Sequence, residues 1–166
     1  SKADDDAERR RVDFAFVDAR LVQSRQQLMT AIVQAIVGAM RRDPKRPDAE
    51  VGLKTPSIHS DLLWTLHSNN NIAEALRRFG VSRTTRSLIL VRVAPPLDAG
   101  ELVQHMTQLV DGTLQTRGLS LPSPALAWSE LGTAYKIQDT PAFQHPDTSQ
   151  VDALICSMVA SKYVGA

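Results

Sequence analysis

Two short amphipathic helices joined by a run of asparagines restrict the fold of this chain more than any other stretch. From Ser57 to Leu66, the residues Ile58, Leu62, Leu63 and Leu66 share one helical face, since side chains three and four apart on a helix lie one above another. The polar run Ser68-Asn69-Asn70-Asn71 interrupts that pattern. Asn71 followed by Glu74 is a capping spacing, and Ile72, Ala75, Leu76 and Phe79 form the next apolar stripe. Gly80 then stands where a helix C-terminus wants a left-handed residue.

The elements around this unit mix strands and helices. Phe14-Ala15-Phe16-Val17 reads as a strand with apolar residues on both faces, which Arg20-Leu21-Val22 extends past a bend. Ser24 followed by Gln27 opens a helix carrying Leu28, Ala31, Ile32, Ala35, Ile36 and Ala39 until Asp43-Pro44 breaks it. Arg41 to Pro56, with three prolines and Gly52, reads as a flexible loop. Leu88 to Val93 is a β-branched run of buried-strand type, stopped by Pro95-Pro96. Asp98 to Leu109 is a further amphipathic helix with Leu102, Val103, Met106 and Leu109 on its stripe. A strand is expected around Thr113 to Thr116, a helix from Trp128 to Ile137, and a loop between Pro141 and Pro146. The last helix, capped by Thr148 or Asp147, repeats Val151, Leu154, Ile155, Met158 and Val159 at helical spacing. The irregular order predicts a mixed α+β fold, a mixed β-sheet with helices packed on it, rather than a doubly wound nucleotide fold. At 166 residues and 43% hydrophobic, one domain with a real core is expected, residues 1–12 being flexible.

The net charge of +1 conceals an uneven distribution. Residues 19–97 carry 12 basic and 5 acidic side chains, against 4 and 6 before them and 3 and 7 after them. No Asp or Glu falls between Ala19 and Arg42 or between Ala75 and Leu97. Such a segment suits phosphates; equally, it suits an ordinary solvated surface countered by the acidic ends after folding. No apolar run approaches the roughly 18 residues of a membrane span, and the N-terminal charge runs lack a signal-peptide core. Together with a single cysteine, Cys156, these features predict a soluble intracellular protein.

Enzyme signatures are missing: there is no phosphate-cradling glycine loop, no zinc-type Cys or His spacing and no nucleophile elbow. His59, His67, His105 and His145 are scattered and read as surface or helix-edge residues. Asp61 and Glu74 flank the asparagine turn, but Glu74 is taken up in capping the helix. Capping explains Asn71; three asparagines in a row suit hydrogen bonds to bases or to a partner's backbone as well. The last helix has two open uses, burial against its own sheet or an apolar face offered to another protein through Cys156, Met158 and Val159.

The stretch Ile58-His59-Ser60-Asp61-Leu62-Leu63-Trp64-Thr65-Leu66, followed by Ser68-Asn69-Asn70-Asn71-Ile72-Ala73-Glu74-Ala75-Leu76-Arg77-Arg78-Phe79-Gly80-Val81, resembles the hallmark of the PRPK-binding protein (TPRKB) family. The Phe14 to Val22 block resembles fungal members, and Val151 to Met158 with Ser161-Lys162 resembles the family's C-terminal helix. The resemblance implies a non-catalytic subunit of the KEOPS complex that binds and modulates the kinase-like ATPase and supports N6-threonylcarbamoyladenosine formation in tRNA. It implies ATPase contacts at Leu154, Ile155, Met158, Val159 and Lys162; the family's tie to the tRNA acceptor end, taken with the basic middle segment and the asparagine turn, gives RNA contacts at Lys54, Asn69, Asn70, Arg77 and Arg78 as an expectation. It implies no cofactor, metal, membrane or small-molecule substrate, and residence in nucleus and cytoplasm. Three features depart from the family pattern: its opening strand and helix do not precede Phe14, Lys54-Thr55-Pro56 has proline where arginine is common, and His67-Ser68 replaces a usual Ser-Pro. Two other readings stand beside it, an interaction subunit without RNA contact and a small α/β enzyme, which would need a pocket with convergent polar groups.

Overall fold

A computed structural model describes residues 13–41, 52–95, 98–115, 124–145 and 147–164. Strand β1 (Ala15–Asp18) runs into a single 3-10 turn and then α1 (Arg25–Met40). Helices α2 (Ile58–Leu66) and α3 (Ile72–Phe79) precede strand β2 (Leu88–Val91), and α4 (Ala99–Leu109), α5 (Pro124–Tyr135), α6 (Pro141–Gln144) and α7 (Thr148–Ala160) complete the order. The mixed α+β class is as expected. Among the described residues its sheet consists of β1 and β2, antiparallel, with Ala15 opposite Val91 and Asp18 opposite Leu88.

Local chemistry sets the helix starts. Ser24 accepts from the Gln27 amide, Asp98 from Glu101, and Asp147 from Ser149 and Gln150, while Thr148 is already helical. Helix α2 spans nine residues and is held by a reciprocal box in which Ser57 and Ser60 each bond the other's backbone N–H. The helices close on a core of Val17, Leu62, Leu66, Phe79, Tyr135, Val151, Ile155 and Val159. Gln27 is buried there because its amide is satisfied: Nε2 donates to the Leu21 carbonyl and the Tyr135 hydroxyl, which itself donates to the Leu66 carbonyl.

Several expectations are corrected. Gly80 is extended (φ −75°), and glycine is needed because a Cβ would stand 2.4 Å from the Leu76 carbonyl oxygen. Strand β2 is half-buried except at Val91, since one neighbouring strand covers only part of it. Thr113 to Gln115 form no strand, and Thr116 lies outside the described residues, as does 42–51 of the expected loop. Pro141 starts a short helix rather than a loop, its ring being tolerated in a first turn that needs no N–H donor there. No residue of α4 is buried, so its stripe covers less core than the periodicity suggests.

Asp18 ties the sheet to the basic turn after α3. Its carboxylate, 1% exposed, accepts from the Arg20 backbone and guanidinium and from the Thr85 hydroxyl at 2.6 Å. Burial alone would raise its pKa, but these donors outweigh burial and hold it below the ordinary value. A depressed carboxylate contributes stability above its unfolded pKa of about 4 and loses it as pH falls through the lower folded value. Asp18→Asn is therefore expected to cost about 2 kcal/mol at pH 7, with the gap from wild type narrowing below pH 4 in urea titrations.

Candidate interaction surfaces

The asparagine turn assigns a different task to each residue. Asn71 accepts from the Glu74 amide and caps α3; the Asn69 side chain accepts from the Asn71 amide, and the Asn69 amide donates to His67 Nδ1. Asn70 is exposed and its side chain makes no hydrogen bond among the described residues. Ser68 donates to the Ala134 carbonyl, fixing the turn to α5. The turn thus presents one asparagine amide to solvent from a hydrogen-bonded base.

The basic residues expected near it are dispersed. Arg77 and Arg78 both grip Glu74, with Arg77 Nη2 2.7 Å from Oε1 and Arg78 Nε 2.5 Å from the same oxygen. These bonds hold the Glu74 pKa down to about 2, so the Glu74 side chain serves the arginines rather than the helix cap. Lys54 is exposed before the start of α2, whereas Asn69 and Asn70 follow its end, about 14 Å of helix away. Arg83 and Arg86 lie exposed in the turn that Asp18 anchors.

At the C-terminal helix, Ile155 and Val159 face the chain's own core, and Leu154 and Met158 are half-buried against it. Lys162 is also turned inward. Its ammonium donates to the carbonyls of His67 (2.6 Å) and Asn69 and sits 4.4 Å from the Trp64 ring centroid. Burial pushes its pKa down to about 8. Next to it, the Tyr163 hydroxyl donates to Asp61, and Arg41 donates to the Tyr163 carbonyl with its guanidinium over the ring. Gly38 lets α1 approach this segment: a Cβ there would lie 2.1 Å from the Tyr163 hydroxyl.

An exposed apolar stripe runs along α1. Met29, Val33, Val37 and Met40 are 46%, 50%, 41% and 75% exposed, at spacings of four, four and three, which is one helical stripe. The opposite side of the helix, with Leu28, Ala31, Ala35 and Gly38, is buried. A surface helix ordinarily turns polar residues to water, and one apolar all round is normally covered on every side. Arg41 carries the end of the stripe to Tyr163, after which Val164 is 84% exposed. The sequence reading followed the inner stripe and missed the outer one; the available signal was that no charged residue occurs from Gln26 to Met40.

An open concavity of about 400 Å³ is lined by Asp13, Phe14, Phe16, Ser57, His59 and Val81. Both nitrogens of His59 are engaged, Nδ1 with Asp13 at 2.7 Å and Nε2 as acceptor from the Val93 amide. His59 and His67 are buried rather than at the surface. His67 accepts at Nδ1, so its proton sits on Nε2, which is buried without a partner among the described residues. Burial and the Lys162 ammonium lower its pKa. No group of three or more His, Cys, Asp or Glu among the described residues is placed to hold a metal ion, and no described helix is long and apolar enough to cross a membrane.

The family model for kinase binding protein CGI-121 matches residues 4–163. The EKC/KEOPS complex subunit CGI121 of Gibberella zeae is 36% identical over 107 residues, 60% of this chain and 50% of that protein. The subunit of the same name from Cryptococcus neoformans is 30% identical over 185 aligned positions, 96% of this chain and 80% of the relative. The Aspergillus terreus subunit is 33% identical over 61% of this chain. The chain spans about half the length of the Gibberella and Aspergillus relatives it matches.

Proposed function

Because the chain belongs to the kinase-binding CGI-121 family, we propose that it is a non-catalytic KEOPS subunit whose outer α1 stripe and adjoining C-terminal segment dock on the complex's kinase-like ATPase. The observation that carries this reading is the exposed stripe Met29, Val33, Val37 and Met40. It supplies an apolar strip about 17 Å long by helical rise, of the kind that forms the core of a protein interface. The expected contact residues Leu154 and Met158 contribute from the half-buried edge of α7, while Ile155 and Val159 are buried in the core and Lys162 turns inward to the end of α2.

The second part of the proposal is tRNA contact in support of N6-threonylcarbamoyladenosine formation. Asn70 offers a base-edge amide, with Asn69 shaping the turn under it, and Lys54, Arg77 and Arg78 meet phosphates at the rim. Glu74 neutralises part of the charge of both arginines, so few counterions are released per complex. A tRNA transcript titrated between 50 and 200 mM salt is expected to give a shallow slope, near two or three phosphate contacts, and Asn70→Ala to weaken binding about tenfold at every salt. Absence of tRNA binding at 50 mM salt leaves the protein-only subunit as the reading.

A further inference from the structure

We infer that Lys162 is a positioning residue for the asparagine turn, so that a protein docked on the C-terminal face stiffens the turn that meets RNA. This deepens the proposed function and rests on it. Lysine is rarely buried, and only when its ammonium is well partnered; Lys162 is 7% exposed. Among the described residues, the partners of its ammonium belong to the end of α2 and the turn: the His67 and Asn69 carbonyls and the face of Trp64. Two carbonyls two residues apart are thereby drawn toward one charge, which sets the path of the backbone between them. From there the order passes on through Asn69 to Asn71 and the start of α3. On the other side, Lys162 adjoins Tyr163, which is held by Asp61 and by Arg41 at the end of the exposed α1 stripe. One short segment thus joins the two proposed surfaces, and any free energy passed between them acts equally in both directions.

The test compares the wild-type protein with Lys162→Met, which keeps an unbranched stem without the ammonium, and with Tyr163→Phe, which loses the neighbouring bond to Asp61. Exchange of the hydrogen-bonded turn amides, Asn69 and Asn71, is expected to speed up about tenfold or more in K162M and to stay near wild type in Y163F. Adding the kinase-like subunit is expected to slow exchange at these amides in the wild-type protein, an arm that decides the matter even where K162M does not fold. Unchanged turn exchange in a folded K162M, or wild-type exchange at the turn that ignores a bound partner, overturns the inference. A fluorescent tRNA transcript added to the same samples keeps the two claims apart. If the wild type binds no tRNA, the RNA reading fails, while the exchange data still decide the role of Lys162.

Discussion

Asp61→Ala is expected to lower folding stability by about 3–5 kcal/mol, a large part of the roughly 5–15 kcal/mol that holds a typical protein folded. The carboxylate is fully buried and accepts three hydrogen bonds, from the backbone amides of Lys54 and Thr55 at 2.9 and 2.7 Å and from the Tyr163 hydroxyl at 2.7 Å. Alanine leaves three donors without an acceptor, each costing about 1–3 kcal/mol before relaxation. Asp61→Asn retains one acceptor oxygen and is expected to lose about half as much. Denaturant titration checks both, and an unchanged slope assigns the loss to the native state. Asp61 is thus a structural knot between the entry to α2 and the end of the chain.

Val33→Asp combined with Val37→Asp is expected to weaken binding of the kinase-like ATPase at least 100-fold while shifting the melting temperature by no more than about 2 °C. Valine and aspartate have similar helix propensities, and both positions are close to half exposed in the isolated chain, so folding has little to lose. An interface differs: each valine contributes about 1–2 kcal/mol of apolar burial, and each carboxylate without a counter-charge resists desolvation by several kcal/mol more. Calorimetric titration at matched protein concentration reads the difference directly.

How much of this was legible depended on the range of the interactions involved. The caps at Ser24, Asn71, Asp98 and Asp147 are local, set by one side chain and the amides just after it; all could be read from spacing. The α2–turn–α3 unit and the α7 stripe followed from three-and-four periodicity, and the resemblance drawn from them is borne out by the match to the family. Long-range choices were not legible. Periodicity shows that Ile155 and Val159 share a face with Met158, but not that this face closes on the chain's own core. Lys162 looks like a surface lysine until the fold brings the His67 and Asn69 carbonyls to it. Pairing of Arg77 and Arg78 with Glu74 was available from i, i+3 and i, i+4 spacing, and only the capping reading of Glu74 concealed it. On α1 the inner and outer stripes are both apolar, so hydrophobicity alone does not tell which one the core takes.

The location of the partner surface is tested most directly by site-specific photo-crosslinking to the kinase-like ATPase. The crosslinker is placed once at Val33 on α1 and once at Val103 on α4, two valines of similar exposure on different helices. A strong adduct is expected from position 33 and none from position 103. An adduct from 103 with none from 33 would contradict docking through α1.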